Sequence, residues 1–294
     1  MARVAIIGPG AIGGTLAGNL VRAGNHEVML AGRRAVSALK VSLPDGTEVI
    51  TGPVVAEPAQ LTEKFDWVLV ATKTYAAEAT GGWLQSICGP ETCVAIFQNG
   101  VEHRERFRPW VADEALVPVV IDCSAERPAP DHVVQRGALK IVAADDANGQ
   151  ALRGLFAGAN EHVSLTDDFL SAAWAKLTRN SVAVLNAMTL QPNVIMHDEA
   201  MGQAALQIAQ ESIAVARAAG ATLDHGLALW VLDATLAAPR DAVNSLLAGR
   251  ETELEARNGA IVRFGQWLGV STPLNSMGVA VVRAQMLVEQ SNCD

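Results

Sequence analysis

Short apolar runs alternate with helical periodicities through the first half of the chain, and helical periodicity alone fills the second half. Val4 to Ile7 form a continuous apolar run, the pattern of a strand buried on both faces. From Ala11 to Ala23 apolar residues recur at helical spacing, and Gly24 follows as a C-terminal cap. Glu27 to Ala31 and Asp66 to Ala71 predict a second and a third strand, and Thr92 to Phe97 and Leu116 to Ile121 repeat the pattern. Helical or irregular stretches separate these strands, as the crossovers of a doubly wound sheet require. His132 to Gln135 and Leu139 to Ala143, joined through Arg136 and Gly137, predict an antiparallel hairpin, and His162 to Leu165 adds one more strand.

The pattern changes at Thr166-Asp167-Asp168, a helix-start signal followed by helical spacing through about Met188. Further helices are predicted over Asp198 to Ala219 with Gly220 as cap, Leu227 to Leu236, Arg250 to Leu268 with Gly269 as cap, and Pro273 to about Gln290 behind Thr272 as N-cap. The expected organisation is therefore α/β, with a doubly wound sheet domain over residues 1–166 and an all-helical domain over 167–294. No internal repeat is evident.

Composition fits this picture and removes several function classes. A chain of 294 residues, half of them apolar, can bury two cores. No apolar run reaches the roughly 18 residues that span a bilayer, and the apolar start breaks at Gly8 to Gly10 with no basic region before it, unlike a signal peptide. Cys88, Cys93, Cys123 and Cys293 show no C-x-x-C pair and no metal-ligand spacing, so reduced thiols in a cytoplasmic protein are expected and a metal is not. The net charge of -9 argues against a nucleic-acid partner or an anionic membrane surface, though not against small anionic ligands.

Candidate chemistry begins at the first turn. Gly8, Gly10 and Gly13, with Pro9, Ala11 and Ile12 between them, have the G-x-G-x-x-G spacing of a dinucleotide site. Gly8 serves the tight turn, Gly10 lets backbone approach a pyrophosphate, and Gly13 lets the helix pack on the sheet, whose Rossmann-type character follows. The helix N-terminus then offers N–H groups to phosphate. A plain glycine turn is the alternative, and the strand before and helix after weigh against it. The second strand ends in Ala31-Gly32-Arg33-Arg34, where an NAD site usually carries a carboxylate; paired arginines favour the 2'-phosphate of NADP. Solvated loop arginines are the competing reading.

Lysine is scarce, with only Lys40, Lys64, Lys73, Lys140 and Lys176. Lys73 and Asn99 follow strand ends, where ligands of open α/β sheets bind, although either could simply face solvent. Lys176 and Asn180 stand four apart, on one helix face, amid apolar neighbours. Such a lysine either snorkels outward or supplies a proton from a partly buried position.

The glycine turn, Thr72-Lys73, Gln98-Asn99-Gly100, Trp174-Ala175-Lys176-Leu177 with Asn180, and Gly249-Arg250-Glu251-Thr252-Glu253 leading to Asn258-Gly259 together resemble ketopantoate reductase (2-dehydropantoate 2-reductase) and its paralogues, from end to end of the chain. The resemblance implies NADPH-dependent reduction of a 2-oxo acid to a 2-hydroxy acid. By it Lys176 donates a proton to the keto oxygen, Asn99 helps place the carbonyl and nicotinamide, Lys73 contacts the cofactor and Asn180 holds substrate polar groups. Glu253 becomes a substrate or lysine partner; without the family it reads as an exposed helix carboxylate. The family's substrate-binding serine falls on Asn244 or Ser245, which are equivalent choices because the following segment is shorter than usual. A second family asparagine, four residues after the first, falls on Val184, or on Ala183 with one deletion, and Asn186 is out of helical phase to replace it. An aliphatic residue there predicts a 2-oxo acid less polar than ketopantoate. A catalytically silent NADP-binding sensor and a hydroxyacid dehydrogenase of similar plan are the other readings. The long apolar helices of the second half could form a homodimer face or close on one another.

Overall fold

The computed structural model describes residues 1–291 apart from Thr62, Glu161 and 238–252. The chain divides into two compact units, Met1–Phe169 and Leu170–Asp294, three residues later than the boundary expected from the sequence.

In the first unit β1 (Arg3–Ile7), α1 (Ala11–Ala23) and β2 (Glu27–Ala31) follow the predicted pattern. Gly24 takes the left-handed conformation and its N–H closes onto the carbonyls of Leu20 and Val21, ending α1 as a glycine cap does. Three short strands come next, β3 (Lys40–Ser42), β4 (Glu48–Ile50) and β5 (Val54–Val55), none of them evident in the hydrophobic pattern. Then β6 (Trp67–Val70), α2 (Ala77–Ile87), β7 (Cys93–Ile96), α3 (His103–Phe107) and β8 (Leu116–Pro118) complete a six-stranded parallel sheet of order β5-β2-β1-β6-β7-β8. Its central strands β1, β6 and β7 are buried except at the first residues of β1 and β7, which is why their sequences are continuous apolar runs.

The remaining strands correct two expectations. The run Leu116 to Ile121 is not one strand: it breaks at Val119, and β9 (Val120–Asp122) leaves the large sheet. Nor do the segments on either side of Arg136 and Gly137 pair with each other. Instead β10 (Ala125–Ala129) and β11 (His132–Gln135) form the antiparallel hairpin, and β11 continues parallel to β3 in a four-stranded sheet, β10-β11-β3-β4. After it β12 (Lys140–Ala144), α4 (Ala147–Leu155) and β13 (Val163–Thr166) follow, with β12 between β13 and β9 in a third sheet. The hairpin turn therefore falls at Pro130-Asp131. Helix α1 packs against the four-stranded sheet through its glycines: a Cβ at Gly14 would lie 2.6 Å from Val133 and one at Gly18 would lie 2.6 Å from Val41.

The second unit is helical throughout its described residues. The long first helix expected to run to Met188 is two, α5 (Phe169–Ser181) and α6 (Val184–Thr189), with a tight step at Val182-Ala183. The step follows from who takes the Ser181 carbonyl. It accepts from Asn258 Nδ2 at 2.9 Å, and the N–H of Leu185, its helical partner, goes to Val182 instead at 3.1 Å. Helices α7 (Glu199–Ala218, capped by the Asp198 carboxylate on Met201 N) and α8 (Leu227–Leu236) match expectation. Residues Glu255–Gly259 wind as a π turn into α9 (Ala260–Leu268), and α10 (Pro273–Ser291) closes the described chain. Among the described residues no helix is long and apolar enough to cross a membrane.

Candidate functional site

The register of the parallel sheet brings the candidate cofactor residues of the first unit to one level. Ala31, Ile7, Val70 and Ile96 are mutual partners across β2, β1, β6 and β7. The loops that follow carry Arg33 and Arg34, the glycine turn, Thr72-Lys73 and Gln98-Asn99 in that spatial order. The chain leaves β1 for β2 on one side and returns to β6 on the other, so the carboxyl ends of β1 and β6 form the switch point where open α/β sheets hold ligands.

The glycine turn has the shape such a ligand needs. Gly8 sits at φ +88°, where an L side chain is strained, and a Cβ there would also lie 2.7 Å from the Thr72 side chain. A Cβ at Gly13 would lie 2.2 Å from the Gly8 carbonyl oxygen, so only glycine lets α1 start this close to the strand. Gly10 is the opposite case: a Cβ there meets nothing within 4 Å, leaving open space over the backbone. Pro9 is buried, packed beside Gly32, while Ala11 and Ile12 are half-buried at the head of the helix. No side chain caps the start of α1 and no acidic residue occupies its first turn, so the positive end of the helix faces that space uncompensated. Arg33, Arg34 and Lys73 are exposed and Asn99 is half-buried.

The sequence pattern missed the residues beneath these loops. Gln98, Thr80 and His103 are buried polar side chains, joined to Thr72 and Arg106 by hydrogen bonds. Gln98 and Thr72 stood within recognised motifs, but nothing in a linear pattern shows which loop a side chain reaches. The His103 ring is pushed down to about 4 by burial and by the neighbouring Arg106 and Arg104 guanidinium groups, against its hydrogen bond to the Gln98 carbonyl, which raises it. The folded protein therefore holds this imidazole neutral, whereas the unfolded chain protonates it near 6.5. Stability from this group is full above pH 6.5 and is lost as pH falls toward 4, a change on the order of 3 kcal/mol. Urea midpoints measured across that interval are expected to fall more steeply for the wild type than for His103→Gln. Equal slopes would show that another group carries the loss.

In the second unit Lys176 and Asn180 are half-buried on α5, flanking the buried stripe of Ala173, Trp174, Leu177, Thr178 and Ser181. That stripe is fixed by an edge-on contact of Trp174 with Phe264 at 5.4 Å and by the Thr178–Ser212 hydroxyl pair at 2.9 Å. Lys176 is thus carried on a helix whose rotation is set by packing. Glu253 corrects an expectation: it is neither exposed nor within a helix. It precedes the π turn, its carbonyl accepting from Ala256 and Arg257, and it is 7% exposed with Arg257 Nη2 at 3.8 Å from its carboxylate. Asn244 and Ser245, with the helix start expected at Arg250, lie outside the described residues. Val184 is buried against Gly278 of α10, where a Cβ would lie 2.8 Å from its methyl carbon, and Asn186 is engaged in a bond to the Gln191 carbonyl. The described residues hold no cluster of His, Cys, Asp and Glu that could bind a metal. Burial pushes the Cys88 thiol up to about 12, so it stays protonated and unreactive.

Comparison with known proteins adds a third line. Residues 4–148 match the family Ketopantoate reductase PanE/ApbA, and residues 168–286 match Ketopantoate reductase PanE/ApbA C terminal. A 2-dehydropantoate 2-reductase of Caulobacter vibrioides is 43% identical over 291 residues, covering 98% of this chain and 100% of that protein. One from Mycobacterium tuberculosis is 32% identical over 96% of this chain and 97% of its own. Among solved structures, a 2-dehydropantoate 2-reductase of Geobacter metallireducens superposes with a TM-score of 0.90 at 26% identity, over 96% of this chain and 99% of that one.

Proposed function

The chain belongs to the ketopantoate reductase family, and from that premise we propose that it reduces ketopantoate to pantoate with NADPH as the hydride donor. The observation that carries the reading is the match at 43% identity to a 2-dehydropantoate 2-reductase, over 98% of this chain and 100% of that protein.

The residues present fit the cofactor. The open backbone over Gly10 and the uncapped start of α1 suit a pyrophosphate, and the exposed pair Arg33 and Arg34 suits a 2'-phosphate through bidentate guanidinium contacts. NADPH, when bound, supplies the hydride. Around it Lys73 contacts the cofactor and Asn99 orients the nicotinamide or the reacting carbonyl through its amide. Lys176 donates a proton to the keto oxygen as negative charge develops there, which lowers the cost of forming the alkoxide. Asn180 holds polar groups of the substrate, and Asn244 or Ser245 holds its carboxylate. Glu253, a carboxylate kept from water, pairs with the lysine or with the substrate hydroxyl.

One observation favours a second substrate. Val184, which with Ala183 is one of the two residues on which the family's second asparagine falls, is buried against Gly278 and offers no polar contact, which suits a 2-oxo acid with an aliphatic substituent such as 2-oxoisovalerate. Steady-state oxidation of NADPH and NADH against a panel of 2-oxo acids separates the readings. Ketopantoate with NADPH is expected to give the highest kcat/KM, and Arg33→Ala with Arg34→Ala to raise the KM for NADPH about tenfold or more while leaving that for NADH nearly unchanged. A higher kcat/KM for 2-oxoisovalerate would favour the second substrate. Tight NADPH binding without turnover of any acid would mark a silent binder.

A further inference from the structure

The ladder between β6 and β7 ends at Val70 and Ile96, so it does not by itself fix the two loops beyond, which carry Lys73 and Asn99. One buried side chain does connect them. Gln98, 3% exposed, receives Arg106 Nη1 on its Oε1 at 2.9 Å, which settles the orientation of the amide. Its Nε2 then donates to Thr72 Oγ1 at 2.9 Å and to the Lys73 carbonyl at 3.3 Å. The backbone carbonyl of Gln98 can only accept, so His103 Nε2 donates to it at 3.0 Å.

The hydroxyls continue the chain with a fixed polarity. Thr80 gives its proton to the Ala76 carbonyl at 2.8 Å, so in the 2.9 Å contact between Thr72 and Thr80 it is Thr72 that donates. Hydrogen bonds thus run one way from the Arg106 guanidinium through Gln98, Thr72 and Thr80 to the backbone that opens α2. Each link uses a donor and an acceptor that a hydrocarbon, or at Gln98 a carboxylate, cannot replace. A glutamate at 98 would set a second acceptor against the Lys73 carbonyl, and a valine at 72 would remove both bonds of the hydroxyl.

Resting on the NADPH-dependent reading above, we propose that Gln98, acting with Thr72, is the positioning residue that sets the Lys73 and Asn99 loops for the nicotinamide half of the cofactor. The sheet does not need this network for its register, so its removal loosens the two loops rather than the core. The adenosine half, held by the glycine turn and the arginines, is left as it was.

The test is the dissociation constant of NADPH, measured by quenching of protein fluorescence, beside that of adenosine 2',5'-bisphosphate, for wild type, Gln98→Met, Gln98→Glu, Thr72→Val and Thr72→Ser. Gln98→Met, Gln98→Glu and Thr72→Val are expected to weaken NADPH at least about tenfold, the scale of one buried hydrogen bond, while the bisphosphate changes less than about threefold. Thr72→Ser keeps the hydroxyl and is expected to bind NADPH within about threefold of wild type. NADPH affinity unchanged in Gln98→Met and Thr72→Val overturns the inference alone. Equal weakening of both ligands, or no rescue by serine, overturns it as general damage to the fold. If Gln98→Met fails to fold, the valine and serine pair at position 72 decides by the same criteria. A wild type that binds no NADPH overturns the reading of function beneath it.

Discussion

Replacing Lys176 with alanine is expected to lower kcat about 10²- to 10⁴-fold, the range over which a positioned general acid contributes. The physical basis is the charge that appears on the keto oxygen as a hydride reaches the carbonyl carbon. Without a donor that oxygen becomes a free alkoxide, a species far more basic than the hydroxyl it should become. Because the role proposed for Lys176 is on the substrate, the affinity for NADPH is expected to stay within about threefold of wild type, so the loss falls on turnover and on the 2-oxo acid. Lys176→Arg separates charge from proton transfer. An arginine keeps the positive charge but holds its proton far too tightly to give it up, so most of the loss should remain. Near-wild-type kcat in the alanine variant would remove Lys176 from the reaction. Recovery in the arginine variant would leave it an electrostatic role only.

The second large effect concerns stability and lies at Glu211. This carboxylate on α7 is 8% exposed, and it accepts three hydrogen bonds from the start of α10: Leu274 N and Asn275 N at 3.0 Å each, and Asn275 Nδ2 at 2.8 Å. It therefore caps a helix from outside that helix, placing negative charge at the positive end of its dipole. Asn275 Oδ1 in turn accepts from Asn258, whose amide also reaches the end of α5, so one buried network joins α7, α10, the π turn and the helix bearing Lys176. Glu211→Leu leaves the backbone N–H groups of Leu274 and Asn275 without their acceptor and Asn275 Nδ2 with only its bond to the Ile208 carbonyl at 3.2 Å. It is expected to cost about 3 to 5 kcal/mol, the scale of breaking a buried charged partnership. Glu211→Gln keeps one acceptor oxygen but turns an NH2 group toward donors, and should cost about 1 to 3 kcal/mol. Urea midpoints with unchanged slope would measure both. A leucine variant within about 1 kcal/mol of wild type would show that the cap contributes little beyond what its neighbours supply.

These two residues differ in how far the sequence revealed them. Lys176 was open to inspection because a lysine amid apolar residues at helical spacing is anomalous whatever the fold. Glu211 gave no such signal: a carboxylate in the middle of a helical pattern reads as solvated, and its partners lie more than sixty residues on. Thr272 was the expected cap for α10 on local grounds, yet the N–H groups of that helix's second and third residues, Leu274 and Asn275, go to Glu211. Glu253 is similar, since only the fold shows that it is buried rather than exposed. The step between α5 and α6 was also invisible, because Val182 and Ala183 carry no helix-breaking chemistry. It depends on a carbonyl claimed by an asparagine 77 positions away.

Taken alone, the sequence determined the alternation of β and α elements, the glycine turn between β1 and α1, the caps at Gly24 and Gly269, and the change to all-helical structure after Thr166. Each rests on interactions within a few residues, such as the burial period of a strand or helix and the freedom of a glycine at positive φ. The tertiary structure decided which strands pair, that β8 and β9 enter different sheets, and that short strands such as β3 and β5 exist at all. It also decided the common level of the four loops at the sheet's carboxyl edge and the buried networks around Gln98 and Glu211. Those features are set by hydrogen bonds and packing between distant segments, whose partners a linear pattern of hydrophobic and polar residues does not name.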